Sequence, residues 1–477
     1  MTKQEAAIKY ITENYLEFNR LRHDVIADKL QLRLLGDEAK GERQEYWKEL
    51  TKHDINSIVC HCAQEYDANI TSREVMTALQ SDLIPDVHPL REYINALPAW
   101  KPESGDWIDF VASQVRVKNN DNKVSGNNND NTDNLRPNQY PLGAQGEENT
   151  QQLKQLDSTT YSARNNTASG EGDDTTPFYT TLHNTTPSAE RLWRVCFKKW
   201  FVAMVAGWMK DEVVNHQVLV LIGKQGIFKT TWLEHLIPPH LRAYACKLAN
   251  SNDLNKDERL RIAEFGLISL DEIDSMNNRE LNQLKSVITA TDVNERAAYA
   301  YTKERRVRLA SFCASGNRRD FLTDITGNRR WLPFEVESIQ NPFYSLLPYE
   351  QMYAQAWALA QDPMFSYWFD LDEIEVLEEH NQHFRDESNE EQLLPILFDV
   401  PAEGRGEFMT TAQISERLVS YGNIKKPMAL SRLGMVLGQI GYRAVTRKIN
   451  NTRARGWIVY QRDTEEINSL KRLLKDG

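Results

Sequence analysis

This 477-residue chain lacks long apolar runs, has few cysteines and carries no excess of positive charge. Each of these features argues against a class of protein. No uninterrupted apolar run approaches 18 residues, so we expect no membrane span, and the polar N-terminus is not a signal peptide. The five cysteines are scattered and odd in number, which argues against a secreted disulfide framework. The formal net charge is −11, so any nucleic-acid site must be a local basic patch. We therefore expect a cytoplasmic protein.

The length and composition indicate several folded units. A chain this long suggests about two or three domains plus linkers, and 40% hydrophobic residues suffice for a sizeable core. Residues 1–112 are predicted to be a helical N-terminal region. Residues 113–186 are rich in Asn, Asp, Thr, Ser and Gly, which predicts a flexible linker or insert. Short apolar runs alternate with helical stretches across 187–336, as in an α/β nucleotide-binding core. A helical connection is expected over 337–404 and a small unit over 405–477.

The first chemical motif follows a short apolar run at 218–222. Residues 223–231 (GKQGIFKTT) then lead into a helix, which is the order strand, glycine-rich loop, Lys-Thr, helix. Loop N–H groups and the helix N-terminus bind phosphates in such motifs. These patterns predict an ATP site with Lys229 at the β/γ-phosphates and the Thr230 hydroxyl on Mg²⁺; its further members are Gly223, Gln225, Gly226 and Thr231. Phe228 stands where the usual pattern has glycine, and Gly226 can supply the flexibility instead.

A second apolar run, 267–270, ends in Asp271 and Glu272 about 40 residues after the loop. This spacing predicts that Asp271 holds Mg²⁺ and that Glu272 orients and polarises the attacking water. Asp274 is either a helix cap, which we favour, or a further member of the acidic cluster. A third run, 309–316, ends at Asn317, whose amide is predicted to hydrogen-bond the γ-phosphate or the attacking water.

Residues 326–334 (TGNRRWLPF) follow shortly afterwards and contain two adjacent arginines. Arg329 and Arg330 are either surface charge or groups that reach a neighbouring subunit's γ-phosphate, a task that suits planar, permanently charged guanidinium groups.

Taken together, these motifs resemble the virulence-associated protein E family of P-loop ATPases, which is related to superfamily 3 helicases and poxvirus-type helicase-primases. The resemblance rests on 223–231, 267–272, Asn317 and 326–333, and more weakly on 87–107. It implies an AAA+-like core assembled as a ring, usually a hexamer, with ATP at subunit interfaces and Arg329 or Arg330 as the arginine finger. It also implies ATP-dependent DNA unwinding in the replication of phages or other mobile elements, with a primase or another replication protein as partner.

In rings of this class, a loop between the acidic motif and the sensor strand projects into the central channel. Residues 292–308 occupy that interval and alternate basic with aromatic side chains, which suits contact with single-stranded or forked DNA. We interpret them as a hairpin that turns near Lys303; the alternative is a solvated, charged hairpin. The candidates are Arg296, Tyr299, Tyr301, Lys303, Arg305, Arg306 and Arg308, with Lys285 on the preceding helix.

The C-terminal unit contains the other basic patch. Between Met409 and Arg462 there are ten basic residues and one acidic residue, Glu416, which gives a local charge of ten minus one, or +9. Helices at 410–421 and 430–440, followed by two strands around a turn at 450–451, predict a winged-helix unit. Its second helix would suit a major groove and its hairpin the DNA backbone, unless the unit docks a protein. The DNA-binding candidates are Arg432, Arg443, Lys448 and Arg453.

The leading hypothesis is thus an ATP-dependent DNA helicase or translocase with ATP and Mg²⁺ as cofactors. Two alternatives remain open. A switch-type ATPase in regulation or defence would use ATP to change its assembly state. A replication initiator would bind ATP and DNA without unwinding, an alternative to which Phe228 lends weight, whereas the retained Lys229, Thr230, Asp271 and Glu272 argue against it.

Overall fold

A computed structural model describes residues 1–35, 45–66, 69–119, 188–248, 256–295, 304–322, 328–401, 406–449 and 452–476. Those of residues 1–118 and 188–476 belong to one compact unit. The fold is mixed, with helices and several sheets. Most of the predicted linker lies outside the described residues. No helix in the described part of the chain combines the length and apolar character needed to cross a membrane.

The N-terminal part contains a sheet that the sequence interpretation missed. Its elements are α1 (Lys3–Ile11), β1 (Leu21–Asp24), β2 (Lys29–Leu35), β3 (Glu45–Glu49), α2 (Lys52–Tyr66), α3 (Ser72–Leu79) and β4 (Asp86–Val87). The strands are ordered β3-β2-β1-β4. The expectation of a purely helical region is therefore wrong for residues 21–35 and 45–49. Leu30, Leu32 and Leu34 alternate with polar residues, which is the pattern of a half-buried strand. Their side chains share one face and pack on the helices.

The boundary predicted at residue 112 is also displaced. Helices α4 (Pro89–Ala96) and α5 (Trp107–Ala112) are followed by β5 (Val115–Val117). Strand β5 pairs antiparallel with a later strand of the large sheet, with Val117 opposite Val336. Residues 115–117 are thus an edge of the core and not the start of the linker. Their side chains alternate buried and exposed, as in a half-buried strand.

The large sheet forms the centre of the molecule. Its elements, with the helices and the hairpin between them, are α6 (Ala189–Met209), β6 (Val218–Ile222), α7 (Lys229–His235), β7 (Ala245–Leu248), α8 (Lys256–Glu264), β8 (Leu267–Leu270), α9 (Asn278–Ile288), β9 (Asp292–Glu295), β10 (Glu304–Val307), β11 (Ser311–Gly316) and β12 (Trp331–Ile339). The order is β5-β12-β6-β11-β8-β7, and all strands except β5 run parallel. Strands β6, β8 and β11 are buried along their whole length, as expected for parallel strands covered on both faces.

Helix α6 packs across this sheet through its tryptophans. The indole N–H groups of Trp193, Trp200 and Trp208 donate to backbone carbonyls of Ala112, Phe312 and Gly266, respectively. All three side chains are fully buried, so each indole needs such a partner. These bonds tie α6 to α5, to β11 and to the residue before β8.

Helices α10 (Tyr349–Gln361), α11 (Leu371–Gln382) and α12 (Asn389–Leu397) follow the sheet, as expected over most of 337–404, but β12 runs on to Ile339 and residues 398–399 form a further short strand. Helix α11 packs directly on β12: Nε2 of His380 lies 2.7 Å from the carbonyl oxygen of Pro333, and Nδ2 of Asn381 donates to the carbonyls of Asn328 and Trp331. The buried pair Lys199–Glu373 joins α11 to α6 at 2.7 Å. Helices α10 and α11 therefore belong to the core packing.

The C-terminal part contains β13 (Phe398–Asp399), β14 (Glu407–Thr410), α13 (Thr411–Gly422), α14 (Leu430–Ile440), β15 (Arg443–Ile449), β16 (Thr452–Gln461) and α15 (Thr464–Asp476). The predicted helix, helix, strand, strand order is found at the predicted positions. Gly441 has φ +99° and ends α14, because glycine adopts the left-handed conformation without strain. Trp457 packs against Gly434 and Gly438 of α14.

Candidate functional site

The glycine-rich loop connects β6 to α7 at the carboxyl end of the parallel sheet. Gly226 has φ +85° and Phe228 has φ +68°, and helix α7 begins at the next residue, Lys229. Phe228 thus takes the left-handed conformation at the position where the pattern has glycine, at a cost of about 1–2 kcal/mol for a residue with a side chain. The loop turns into its helix despite this substitution, and Gly226 adds a second left-handed residue.

Gly223 is required by close packing. A Cβ atom there would lie 2.8 Å from the carbonyl oxygen of Val336 and 3.1 Å from Cδ1 of Ile227. Its own N–H donates to the carbonyl of Gly316 at 3.1 Å. The loop is thereby held between the carboxyl end of β11 and Val336 of β12.

The Lys229 ammonium is enclosed by the loop. Its Nζ donates to the carbonyls of Gly223 and Lys224, both at 2.7 Å, and lies 3.3 Å from Oδ1 of Asn317. Burial lowers the pKa of Lys229, and Asp274 and Asp271 oppose that shift. Lys229 and Asn317, which come from different motifs, therefore meet as the sequence predicts.

Thr230 and Asp271 also meet, through a residue that the sequence interpretation missed. The Thr230 hydroxyl lies 3.2 Å from Oδ1 of Asp271 and 2.9 Å from the hydroxyl of Ser315, which itself donates to Oδ1 at 2.7 Å. Ser315 is the penultimate residue of β11, the strand between β6 and β8. Ser315 reaches Asp271 because β11 lies between β6 and β8, an order that the sequence does not show. Its position two residues before Asn317 was the available sequence signal, since alternate residues of a strand share a face.

A second missed residue, Lys247 of β7, lies on the other oxygen of Asp271. The distance from Lys247 Nζ to Oδ2 is 2.8 Å. Partial burial alone would raise the pKa of Asp271, but the hydrogen bonds from Lys247, Ser315 and Thr230 prevail and lower it. The same contact is the main cause of the raised pKa of Lys247. Asp271 is therefore an ionised carboxylate at neutral pH.

Glu272 adopts a strained backbone beside this cluster. It has φ +53°, and its carbonyl accepts hydrogen bonds from both the N–H and the hydroxyl of Ser275. Non-glycine residues held in this conformation gather at functional sites. Its side chain is exposed at the mouth of the cavity beside the loop.

Asp274 was expected to cap a helix, and the structure corrects this. Its carboxylate accepts the N–H groups of Asn317 and Arg318, both at 3.1 Å, and so fixes the turn after β11. Its side chain is only 10% exposed. Asp274 therefore positions Asn317 from a neighbouring strand end.

A cavity of about 310 Å³ opens between these strand ends. Ligands of open α/β sheets bind at this edge. The Thr230 hydroxyl and the Asp271 carboxylate are the hard oxygen donors that Mg²⁺ prefers, so the donor set fits that ion. The cavity is lined by Gln225, Gly226, Phe228, Lys229, Thr230, Thr231, Asp271, Glu272, Ser315, Gly316 and Asn317.

Arg329 and Arg330 lie at the amino ends of the parallel strands, whereas this cavity lies at the carboxyl ends. They precede Trp331, which pairs with Val218 at the start of β6, whereas Lys229 follows the end of β6. Arg329 is exposed and Arg330 is half-buried. Because the length of β6 separates them from Lys229, these arginines are not brought to the cavity of their own subunit.

The predicted hairpin is formed by β9 paired with β10, but Glu304, next to the turn expected near Lys303, already lies in β10 opposite Glu295. Arg305 is 76% exposed and lies 2.8 Å from Asp292 on the facing strand. Arg306 contacts Asp28 at 3.0 Å and Glu264 at 3.6 Å, which ties the hairpin to the N-terminal part. Lys285 is half-buried on α9. Four candidates lie outside the described residues: Arg296, Tyr299, Tyr301 and Lys303.

Arg308 is a structural residue and not a DNA contact. It is 2% exposed, and its guanidinium donates to the carbonyls of Ala310, Ile288, Ala290 and Asn215. Burial lowers the pKa of Arg308 to about 9. The inclusion of this arginine among the hairpin's DNA contacts was therefore wrong, because its local sequence cannot reveal that four carbonyls surround it.

Comparison with known proteins decides the family of the central region. The family described as the virulence-associated protein E-like domain matches residues 168–386. This region is a virulence-associated protein E-like domain. The family expectation from the phosphate loop, the acidic strand and residues 326–333 is confirmed. The match extends from before α6 to just past α11. The virulence-associated protein E-like (VapE-like) domain therefore includes α10 and α11, the first two helices after the large sheet.

No curated protein matches the chain. Among solved structures, the apo structure of the NrS-1 C-terminal region is 10% identical and covers 96% of this chain and 100% of that chain, with a TM-score of 0.39. The A form apo structure of the NrS-1 C-terminal region is also 10% identical and covers 93% and 98%, with a TM-score of 0.36.

Proposed function

We propose that this VapE-like protein binds ATP with Mg²⁺ and hydrolyses it to move on DNA in a phage-type or mobile-element replication system. The observation that carries the proposal is the convergence of Lys229, Thr230, Asp271 and Asn317. They come from three separated strand ends: Lys229 Nζ lies 3.3 Å from Asn317 Oδ1, and the Thr230 hydroxyl lies 3.2 Å from Asp271 Oδ1. A chance Gly-Lys-Thr turn would not bring an acidic strand and an amide to the same cavity.

The roles follow from the chemistry of each group. Loop N–H groups from Gly223 to Gly226 and the start of α7 would hold the phosphates. Lys229 would exchange its two carbonyl partners for β- and γ-phosphate oxygens. Thr230 and Asp271 would hold Mg²⁺, which supplies charge neutralisation at the phosphates. Glu272 would orient the attacking water, and Asn317, held by Asp274, would hydrogen-bond that water or the γ-phosphate.

The arginine finger would come from a neighbouring subunit. Because Arg329 and Arg330 lie beyond the amino ends of the strands, a complete site would require a second copy that presents its arginines to this cavity. This arrangement favours a ring, for which the resemblance implies a hexamer. The β9–β10 hairpin would then contact single-stranded DNA through Arg305 and the candidates at 296–303. A primase or another replication protein would act as partner.

The deciding experiment is steady-state ATP hydrolysis by the full chain, with and without single-stranded DNA, compared with Glu272→Gln. We expect hydrolysis that DNA stimulates and that Glu272→Gln abolishes while ATP stays bound. Hydrolysis indifferent to DNA would favour the switch-type ATPase. Binding of ATP and DNA without any hydrolysis would favour the initiator.

Lys229→Ala tests the nucleotide site itself. The substitution removes the only cation that the loop encloses among the described residues, so we expect ATP binding to be lost. Circular dichroism should confirm a folded protein. Undiminished ATP turnover in this variant would remove the phosphate-loop assignment.

A further inference from the structure

The second helix of the C-terminal unit, α14, is poorly suited to read DNA. Its only basic residue is Arg432, whose guanidinium lies 4.0 Å from the Glu391 carboxylate. Arg385 binds the same carboxylate at 3.2 Å. Three of the large side chains that α14 exposes are apolar, Leu430, Met435 and Ile440, and the exposed amide of Gln439 lies in the last turn of the helix. Specific base contacts in a major groove usually require Arg, Lys, Asn or Gln on the inserted helix.

The β15–β16 hairpin, in contrast, concentrates positive charge on one face. Lys448 lies directly opposite Arg453, and Thr446 lies opposite Arg455. Side chains alternate between the faces of a strand, and directly opposed residues share a face. Lys448, Arg453 and Arg455 therefore project from the same face, which we call the hairpin basic face.

The hairpin basic face continues the surface that packs on α14. Trp457 shares this face two residues beyond Arg455 and contacts Gly434 and Gly438 of α14. The three basic residues lie farther along the hairpin, towards its turn, and all three are exposed.

The hairpin basic face has no acidic partner among the described residues. In the described part of the molecule, no acidic side chain is placed in an ion pair with any of the three. Like charges directly opposed on neighbouring strands, as Lys448 and Arg453 are, repel each other. A bound polyanion would remove that repulsion.

We propose that the hairpin basic face binds the phosphate backbone of duplex DNA without reading its sequence, and that α14 does not enter the major groove. This inference rests on the proposed DNA function and replaces the sequence expectation that the helix reads the groove. Contacts to phosphates position a protein but carry no sequence information. Each phosphate contact releases counterions, so the binding must weaken steeply with salt.

The test is a titration of the full chain against a labelled mixed-sequence duplex, read by fluorescence anisotropy at several salt concentrations. The variant Lys448→Ala/Arg453→Ala/Arg455→Ala should weaken binding about tenfold or more at low salt, and should reduce the slope of log K against log salt by roughly two to three. Arg432→Ala should leave both quantities nearly unchanged. A second duplex of unrelated sequence should bind equally well.

A matched control removes three exposed basic residues elsewhere: Lys52→Ala/Arg73→Ala/Lys101→Ala. It makes the same change in net charge, so it isolates the hairpin face from a general electrostatic effect. Equal losses in both triple variants, or no loss in the hairpin variant, would overturn the inference, as would strong discrimination between duplexes lost in Arg432→Ala. Hydrolysis stimulated by single-stranded DNA would still be measurable in either case, so the proposed function is judged separately.

Discussion

The Lys247 ammonium lies 2.8 Å from Oδ2 of Asp271, the carboxylate proposed to hold Mg²⁺. The other oxygen of Asp271 accepts hydrogen bonds from Thr230 and Ser315. Lys247 therefore contacts the oxygen that a metal ion would otherwise share. The Lys247 ammonium would therefore compete with Mg²⁺, since both are attracted to the Asp271 carboxylate.

We predict that Lys247→Met lowers the Mg²⁺ concentration needed for half-maximal ATP binding. The pair is partly exposed, so its contribution is about 1 kcal/mol, which corresponds to a shift of roughly fivefold. Binding of a fluorescent ATP analogue across a Mg²⁺ titration measures the shift. Lys247→Arg keeps the charge and should behave like the unmodified protein. A higher Mg²⁺ requirement in Lys247→Met would show instead that Lys247 supports the nucleotide.

Arg329→Ala or Arg330→Ala should cut ATP turnover and spare ATP binding, because these arginines lie at the sheet edge remote from their own Lys229. ATP turnover by a mixture of two inactive variants offers a sharper measurement. Lys229→Ala subunits retain arginines and lack the phosphate-loop lysine, whereas the inactive arginine variant retains Lys229. Mixed assemblies should recover turnover at interfaces that combine the two intact halves. If neither arginine substitution affects turnover, the finger assignment is wrong.

The left-handed backbone of Phe228 leads to a prediction about the loop. Phe228→Gly removes strain of about 1–2 kcal/mol but adds conformational entropy to the unfolded chain, so stability should change little and ATP binding should persist. Phe228→Val should destabilise the protein by about 1–2 kcal/mol, because β-branched residues tolerate positive φ poorly. Chemical denaturation with and without ATP measures both effects. Equal stability of the two variants would contradict the strain argument.

The buried His380 predicts sensitivity to acid. It is 8% exposed, and burial lowers its pKa to about 4, despite its hydrogen bond to the Pro333 carbonyl. The unfolded chain, with a pKa near 6.5, binds more protons between these values, so stability falls as pH drops below about 6.5. At pH 5 the loss from His380 is about 2 kcal/mol relative to pH 7. Denaturation curves of His380→Gln should depend less on pH than those of the unmodified protein.

Local motifs were predictable from the sequence because each is a contiguous pattern. The apolar runs that became β6, β8 and β11, and the polar residues that follow them, lie where the periodicity indicated. In the C-terminal part, both helices and both strands were also found, since Gly441 and the Asn-Asn pair at 450–451 are local signals in the sequence. The strands of residues 21–49 were missed because their alternation is short and interrupted by charge.

The chemical partners of the site were decided by the tertiary structure. Lys247, Ser315 and Asp274 touch Asp271 or Asn317 only because β11 lies between β6 and β8 and β7 lies beside β8. Likewise, four carbonyls bury Arg308, and Arg432 turns to Glu391, although both resemble free surface cations in the sequence. The sequence by itself determined strands β6, β8 and β11, the phosphate loop and both hairpins, because those depend on neighbouring residues. Sheet order and packing decided which side chains meet, because those contacts join residues far apart along the chain.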